Sequence, residues 1–245
     1  MMDEIEKLLA WRKLPIALAG LAAIAFNNWL LALVLNPHLF LKDGSVSEFG
    51  VPSQPYSWVF RIADAFSSLL FLALSAIAFK YIKTTEKTRK WVFILAVGLA
   101  VFGIANGVDA LLPLNCSDTI NSSCQVTVAL SLSHIILPSH AYSSVIIAVS
   151  YFLLPLAGYK YARANQLRAF ERVSLITLGV AILSFITALH EYAHQHSLTV
   201  HTAGFPQEAQ MLIIGWWLVT WFYSIRSDKQ ALKEVNQTVV QGRGR

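Results

Sequence analysis

An all-helical bundle of six membrane-crossing segments is the fold this sequence predicts, and three observations carry the prediction. The chain is 56% hydrophobic and only 13% charged, whereas a soluble domain carries about 25% charged residues. Six apolar runs, near Leu14–Asn36, Tyr56–Lys80, Trp91–Leu112, His134–Ala157, Ala169–His190 and Glu208–Arg226, match the roughly 20 helical residues needed to cross a hydrocarbon core of about 30 Å. Seventeen of the nineteen lysines and arginines lie before the first run, between the second and third, between the fourth and fifth, or after the sixth. A chain that weaves back and forth puts all of these on one side. The positive-inside rule then makes both termini cytoplasmic in a multi-pass protein of the cell membrane. The expected organisation is a cytoplasmic amphipathic lead-in (1–13), a transmembrane domain (14–226) and a basic cytoplasmic tail (227–245). No cleavable signal peptide is expected, because the first run is too long for a signal core and lacks a small-residue cleavage site after it. The net charge of +5 speaks for contact with anionic membrane lipids, not nucleic acid, for which no motif is present.

The lead-in sets Ile5, Leu8, Leu9 and Trp11 against Asp3, Glu4, Glu6 and Lys7, the pattern of an interfacial anchor. The first run carries Asn27 and Asn28 at mid-depth, where amides serve as interhelical glue. The loop from His38 to Pro55 is turn-rich, with Gly44, Gly50, Pro52 and Pro55. The second run opens with an interfacial Tyr56 and Trp58, and Asp64 follows about 12 Å below its start at about 1.5 Å per residue. A carboxylate at that depth must be paired, and Arg61, three residues earlier, is the expected partner. The pair braces the bundle, belongs to a polar cavity, or does both, with Ser67 and Ser68 just below. The third run ends with Asn106 and Asp109 on one face, after Gly98, Gly103 and Gly107, which allow close helix approach. Cys116 and Cys124, the two cysteines of the chain, fall on the outer side, where an oxidising compartment favours a small-loop disulfide. The fourth run places His134 and His140 on either side of Pro138. The fifth is apolar up to His190. In the sixth, Trp216, Trp217 and Trp221 read as lipid-facing or packing residues.

SEFGVPSQPYSWVF before the second run, LLPLNCSDTINSSC followed by LSLSH before the fourth, and GFPQEAQMLIIGWWLVTW at the sixth carry a resemblance over nearly the whole chain. They resemble a widespread prokaryotic family of six-helix integral membrane proteins known only as a domain of unknown function. The chain departs from that family's pattern at Asn115, where an aspartate usually precedes the first cysteine, and near Ala209 and Gln210, where an arginine is common. The resemblance implies fold and location and no activity.

The segment Leu189–His201 (LHEYAHQHSLTVH) packs four of the seven histidines and Glu191 into thirteen residues. His190 and His194, four apart, share a helix face, the spacing by which two imidazoles reach one metal ion. All seven histidines fall at or beyond the outer interface of the expected topology, as do Asp109 and Glu191. Three readings follow. The first is a metal-dependent hydrolase acting on a lipid or lipid-linked substrate at the outer leaflet. His190 and His194, with His134 or His140, would hold Zn, and Asp109 or Asp64 would orient the attacking water. This arrangement distantly resembles the ceramidase and adiponectin-receptor superfamily of membrane hydrolases. His190 and His194 fit its HxxxH, Asp109 fits its third-helix aspartate, and Ser67 or Ser68 fits its serine. The chain departs from it in having six runs instead of seven and in lacking the histidine of helix two. The second reading is a haem-binding electron-transfer protein with axial histidines from the fourth and fifth runs. The third is a non-enzymatic membrane component, either pH-responsive or a scaffold for an envelope partner. Transport is not favoured, because neither repeats nor broken helices are evident. Beside all three stands a plainer reading of His194, His196 and His201 as an exposed histidine-rich loop.

Overall fold

Each apolar run becomes a helix, since a helix satisfies its own backbone polar groups where no water can reach them. A computed structural model describes residues 2–42, 44–82, 84–117, 119–121, 139–194 and 204–226. Six long helices stand out among them: α1 (Met2–Phe26), α2 (Ser57–Tyr81), α3 (Glu86–Leu111), α4 (Ser139–Ala164), α5 (Arg168–His194) and α6 (Gly204–Arg226). Between α1 and α2 the chain makes a 3₁₀ turn (Asn28–Leu31), two single helical turns (Ala32–Leu35 and Pro37–Phe40) and a second 3₁₀ turn (Val46–Gly50). No strand occurs among the described residues.

Each long helix packs against the next from α2 to α6, and α1 closes the ring by packing against both α2 and α6. Neighbours run antiparallel. Asn106 of α3 meets Asp64 of α2 at one end of that pair, while Ser75 Oγ reaches the Ala96 carbonyl (2.7 Å) further along. Likewise Ser184 of α5 meets Pro206 of α6, and Ser174 meets Trp217. Alternation gathers the helix ends bearing Lys80, Arg89, Lys90, Arg163, Arg168 and Arg226 at one end of the bundle, the basic end. The opposite, polar end carries the loop with Val46–Gly50 and the residues after α3.

Two aromatic clusters fill the interior. Nearer the polar end, Phe26, Phe71, Phe102 and Tyr151 meet edge to face at centroid distances of 5.0–5.8 Å, the arrangement ring quadrupoles favour. Nearer the basic end, Phe170, Trp217, Trp221 and Phe222 pack together, and Trp217 Nε1 donates to Ser174 Oγ at 2.9 Å. Trp217 and Trp221 are therefore core residues, whereas Trp216 is half exposed.

Three expectations change. First, among the described residues four helices are long and apolar enough to cross a membrane, or five if the bent first segment counts as one span, so composition supports a multi-pass membrane protein with four or five candidate spans. The sixth expected segment is a helix of 23 residues, but polar Gln207, Glu208 and Gln210 open it and amphipathic indoles supply much of its apolar surface. Second, the first segment is not continuous: the axis turns by 48° between Lys13–Phe26 and Asn28–Leu35. Third, the long helices overrun the apolar runs. A capping box between Thr85 and Thr88 starts α3 at Glu86, five residues before Trp91, and α5 continues to His194.

Close approach of α2 and α3 depends on Gly103. A Cβ there would lie 3.0 Å from Phe71 Cβ and 3.1 Å from the Ser68 carbonyl oxygen, whereas one at Gly179 would meet nothing within 4 Å. Gly103→Leu is therefore expected to destabilise the bundle by about 1–3 kcal/mol, seen as a lower unfolding midpoint in detergent. Gly179→Leu should leave the midpoint unchanged or raised, and equal midpoints for the two variants contradict this packing.

Candidate functional site

The bend after Phe26 is the local event from which a polar site grows. Short amide side chains compete with a helix for its own carbonyls, and both asparagines do so. Asn27 Nδ2 donates to the carbonyls of Ala23 (2.8 Å) and of Met211 on α6 (3.2 Å), and Asn27 Oδ1 accepts from Trp29 Nε1 (3.2 Å). Asn28 Nδ2 donates to the Ala25 carbonyl (3.0 Å) and to Asp64 Oδ1 on α2 (2.6 Å). The break thus turns one amide towards the carboxylate that needs it.

The backbone around Asp64 fixes the neighbouring helix. Its carbonyl accepts from Ser67 Oγ (2.9 Å), Ser68 Oγ (2.8 Å) and Asn106 Nδ2 of α3 (3.0 Å), and Asn106 Nδ2 lies 2.9 Å from both serine hydroxyls. Three residues on, Asp109 meets the start of α4. Ser143 Oγ donates to Asp109 Oδ1 or to the His140 carbonyl (2.9 Å). His140 Nδ1 lies 3.3 Å from the same carboxylate oxygen, at ion-pair distance but without the angle of a hydrogen bond, and has no other partner among the described residues.

These groups border one cavity of about 140 Å³, room for several waters or a small polar group. Arg61, Asp64, Asn106, Asp109, His140 and Gln210 form its polar wall, and Phe26, Ile147, Tyr151 and Met211 its apolar wall. Val46, Ser47, Gly50, Pro113 and Gln207 form the rim. The lower rings of the Phe26, Phe71, Phe102 and Tyr151 cluster are almost fully buried and separate the cavity from the basic end.

Of the residues singled out in the sequence, Asp64, Asp109 and His140 come together here. Ser68 stands behind the cavity, buried, its hydroxyl committed to the Asp64 carbonyl and to Asn106. Arg61, the expected ion-pair partner of Asp64, donates Nε instead to the Ala110 carbonyl (2.9 Å), so the carboxylate is met by an amide and not by a guanidinium. His190 is exposed on α5, a helix that contributes nothing to the cavity lining. His134 and the side chain of His194 lie outside the described residues, as do His196, His201 and Cys124. Among the described residues no three His, Cys, Asp or Glu side chains converge as a metal ion requires. No cysteine is free among the described residues.

One functional feature escaped the sequence reading. Glu48 is buried to 2% exposure and draws its donors from two loops. Its Oε1 accepts from the Ser45 backbone N–H (3.0 Å), Ser45 Oγ (3.1 Å) and Thr119 Oγ1 (2.9 Å), and its Oε2 from Ser117 Oγ and the Thr119 N–H (3.3 Å). The carboxylate ties the rim turn Val46–Gly50 to the segment after α3, while Gln207 Oε1 accepts from the Val46 N–H (2.9 Å) and ties the same turn to α6. The signal was present in the sequence: Ser45 followed three residues later by Glu48 is a capping box.

The family described as "Protein of unknown function (DUF998)" matches residues 17–223, which agrees with the first resemblance noted in the sequence. No curated protein and no solved structure matches the chain, so nothing in the comparisons carries the second, to the ceramidase and adiponectin-receptor superfamily.

Replacing Glu48 by glutamine turns an acceptor-only group into one bearing N–H donors that face other donors. Glu48→Gln is expected to cost about 1–3 kcal/mol and to expose the rim turn to protease, read by limited proteolysis between Phe40 and Tyr56. A variant as resistant as wild type would show that the rim does not depend on this carboxylate.

Proposed function

The chain belongs to the DUF998 family, whose description assigns no activity, and from that premise we propose that the protein is a multi-pass membrane protein performing acid–base, hydrolase-type chemistry in the cavity at its polar end. The observation that carries the reading is the meeting of Asp64, Asp109 and His140, from three helices, around one space. A carboxylate beside one nitrogen of an imidazole holds the ring and stabilises its protonated form, leaving the other nitrogen to take or return a proton. Asp109 and His140 supply that pair, and Arg61 offers a positive charge at the same wall. The substrate class is a lipid or lipid-linked molecule whose reactive group enters from the lipid–water boundary.

Several expectations belong to this proposal. The crowding of lysine and arginine at the basic end supports cytoplasmic termini, an outward-facing cavity and residence in the cell membrane. The length of α6 and its packing between α5 and α1 support a sixth span. A Cys116–Cys124 disulfide would anchor the loop whose Ser117 and Thr119 hold Glu48. A second reading, ligand binding without chemistry, has the broken first segment in its favour, since interrupted helices often line membrane binding sites.

Three measurements test these proposals. Detergent-purified protein presented with fluorogenic esters and phosphoesters on lipid-like carriers is expected to turn over at least one. His140→Ala and Asp109→Asn should each lower that rate about 10²–10⁴-fold, the range of general acid–base catalysis, with helix content retained. Turnover that survives both substitutions sinks the acid–base reading. Elemental analysis of wild type against a His190→Ala/His194→Ala variant tests the zinc site: stoichiometric zinc in wild type that is lost from the variant supports it, and equal metal content removes it. Labelling of cysteines introduced at Lys87 and at the exposed Asn115, in a background without Cys116 and Cys124, should report opposite compartments.

A further inference from the structure

The two carboxylates bordering the cavity are unequally matched. Asp109 has the His140 imidazole at 3.3 Å, whereas Asp64 has no cationic side chain at ion-pair distance among the described residues, and Arg61 gives its Nε to the Ala110 carbonyl. Each carboxylate is engaged through Oδ1 alone, by Asn28 in one case and by Ser143 and His140 in the other. Their second oxygens receive no hydrogen bond from the described residues. Ionising a carboxylate that has no cationic partner within an apolar bundle is costly, and a cation entering the cavity would recover part of that cost.

The rest of the wall says what kind of cation. Phe26 and Tyr151 border the same space, and ring faces attract ammonium groups within about 6 Å. A dehydrated divalent metal fits poorly, because it needs six or more oxygens or a tight set of nitrogen and sulfur donors, and no three such residues converge among those described. We infer that the cavity takes an organic ammonium, primary or quaternary, seated between the carboxylates of Asp64 and Asp109 and the rings of Phe26 and Tyr151. At about 140 Å³ the space suits a head the size of ethanolamine or choline and leaves any acyl chains outside. This inference rests on the cavity being a ligand site, but not on its performing chemistry.

The full-length protein in detergent, titrated calorimetrically with ethanolamine and with choline, is expected to bind at least one of them and not acetate. Asp64→Asn and Asp109→Asn should each weaken binding about tenfold or more. Tyr151→Leu, which removes the ring, should weaken it, while Tyr151→Phe, which keeps the ring, should not. The tyrosine pair keeps the test decisive if an aspartate variant fails to fold, with monodispersity on gel filtration as the check. Lipid discs separate the sources. Thermal stabilisation by phosphatidylethanolamine or phosphatidylcholine over phosphatidylglycerol, lost in the aspartate variants, identifies a headgroup, and its absence alongside binding of the free amine identifies a soluble ligand. Preference for acetate, or amine binding unchanged in both Asp109→Asn and Tyr151→Leu, overturns the inference. Turnover that depends on His140 without any amine binding removes the ligand class alone. Amine binding without turnover removes the acid–base reading and leaves the ligand class standing.

Discussion

A carboxylate set two turns into an apolar helix must be met by donors, and the way Asp64 is met determines much of the surrounding architecture. Its side chain takes the Asn28 amide, which is available only because the first segment breaks just before it. Its carbonyl takes Ser67, Ser68 and Asn106, which holds α2 and α3 together at that depth. Together these contacts draw three helices to one point, and the space between them is left polar.

The same constraint explains which parts of the fold were legible in the sequence. Run length and the segregation of lysine and arginine are repeated signals, each segment reporting independently, so the helices and their alternation could be read directly. The break at Asn27 could not, because an amide in an apolar helix either bridges to a neighbour or turns back on its own carbonyls, and here the two asparagines do both. Arg61 and Asp64 have the spacing of an ion pair, yet the Ala110 carbonyl at the end of α3 captures the guanidinium. Nothing local to α2 announces that carbonyl. The sixth run is the least legible as a span, because indole rings and alkyl chains look alike in a run of α6, although they differ in their tolerance of hydrocarbon.

The candidate site divides in a similar way. Asp109 and Asp64 were identifiable as polar residues in helices that should have none, and His140 by its place at the start of a helix on the same side. The i, i+4 spacing of His190 and His194 was equally visible, and α5 does carry both. A spacing within one helix says which residues share a face, but not what that face looks upon, and His190 stands exposed on a helix that does not border the cavity. Glu48 was overlooked for the opposite reason. Its capping-box spacing is plain, but its donors on Ser117 and Thr119 lie about seventy positions away in sequence.

The aromatic partition beneath the cavity has an electrical consequence. A unit charge carried across a whole membrane exchanges about 2.3 kcal/mol with each 100 mV of potential. With Phe71 and Phe102 buried beneath the cavity, a voltage drop would fall mainly across the packed layer below, and a water-filled cavity above it would stay close to the potential of the compartment it opens to. The proposed cation arriving at Asp64 would then feel little of the field, and its occupancy would follow concentration and not the energised state of the membrane.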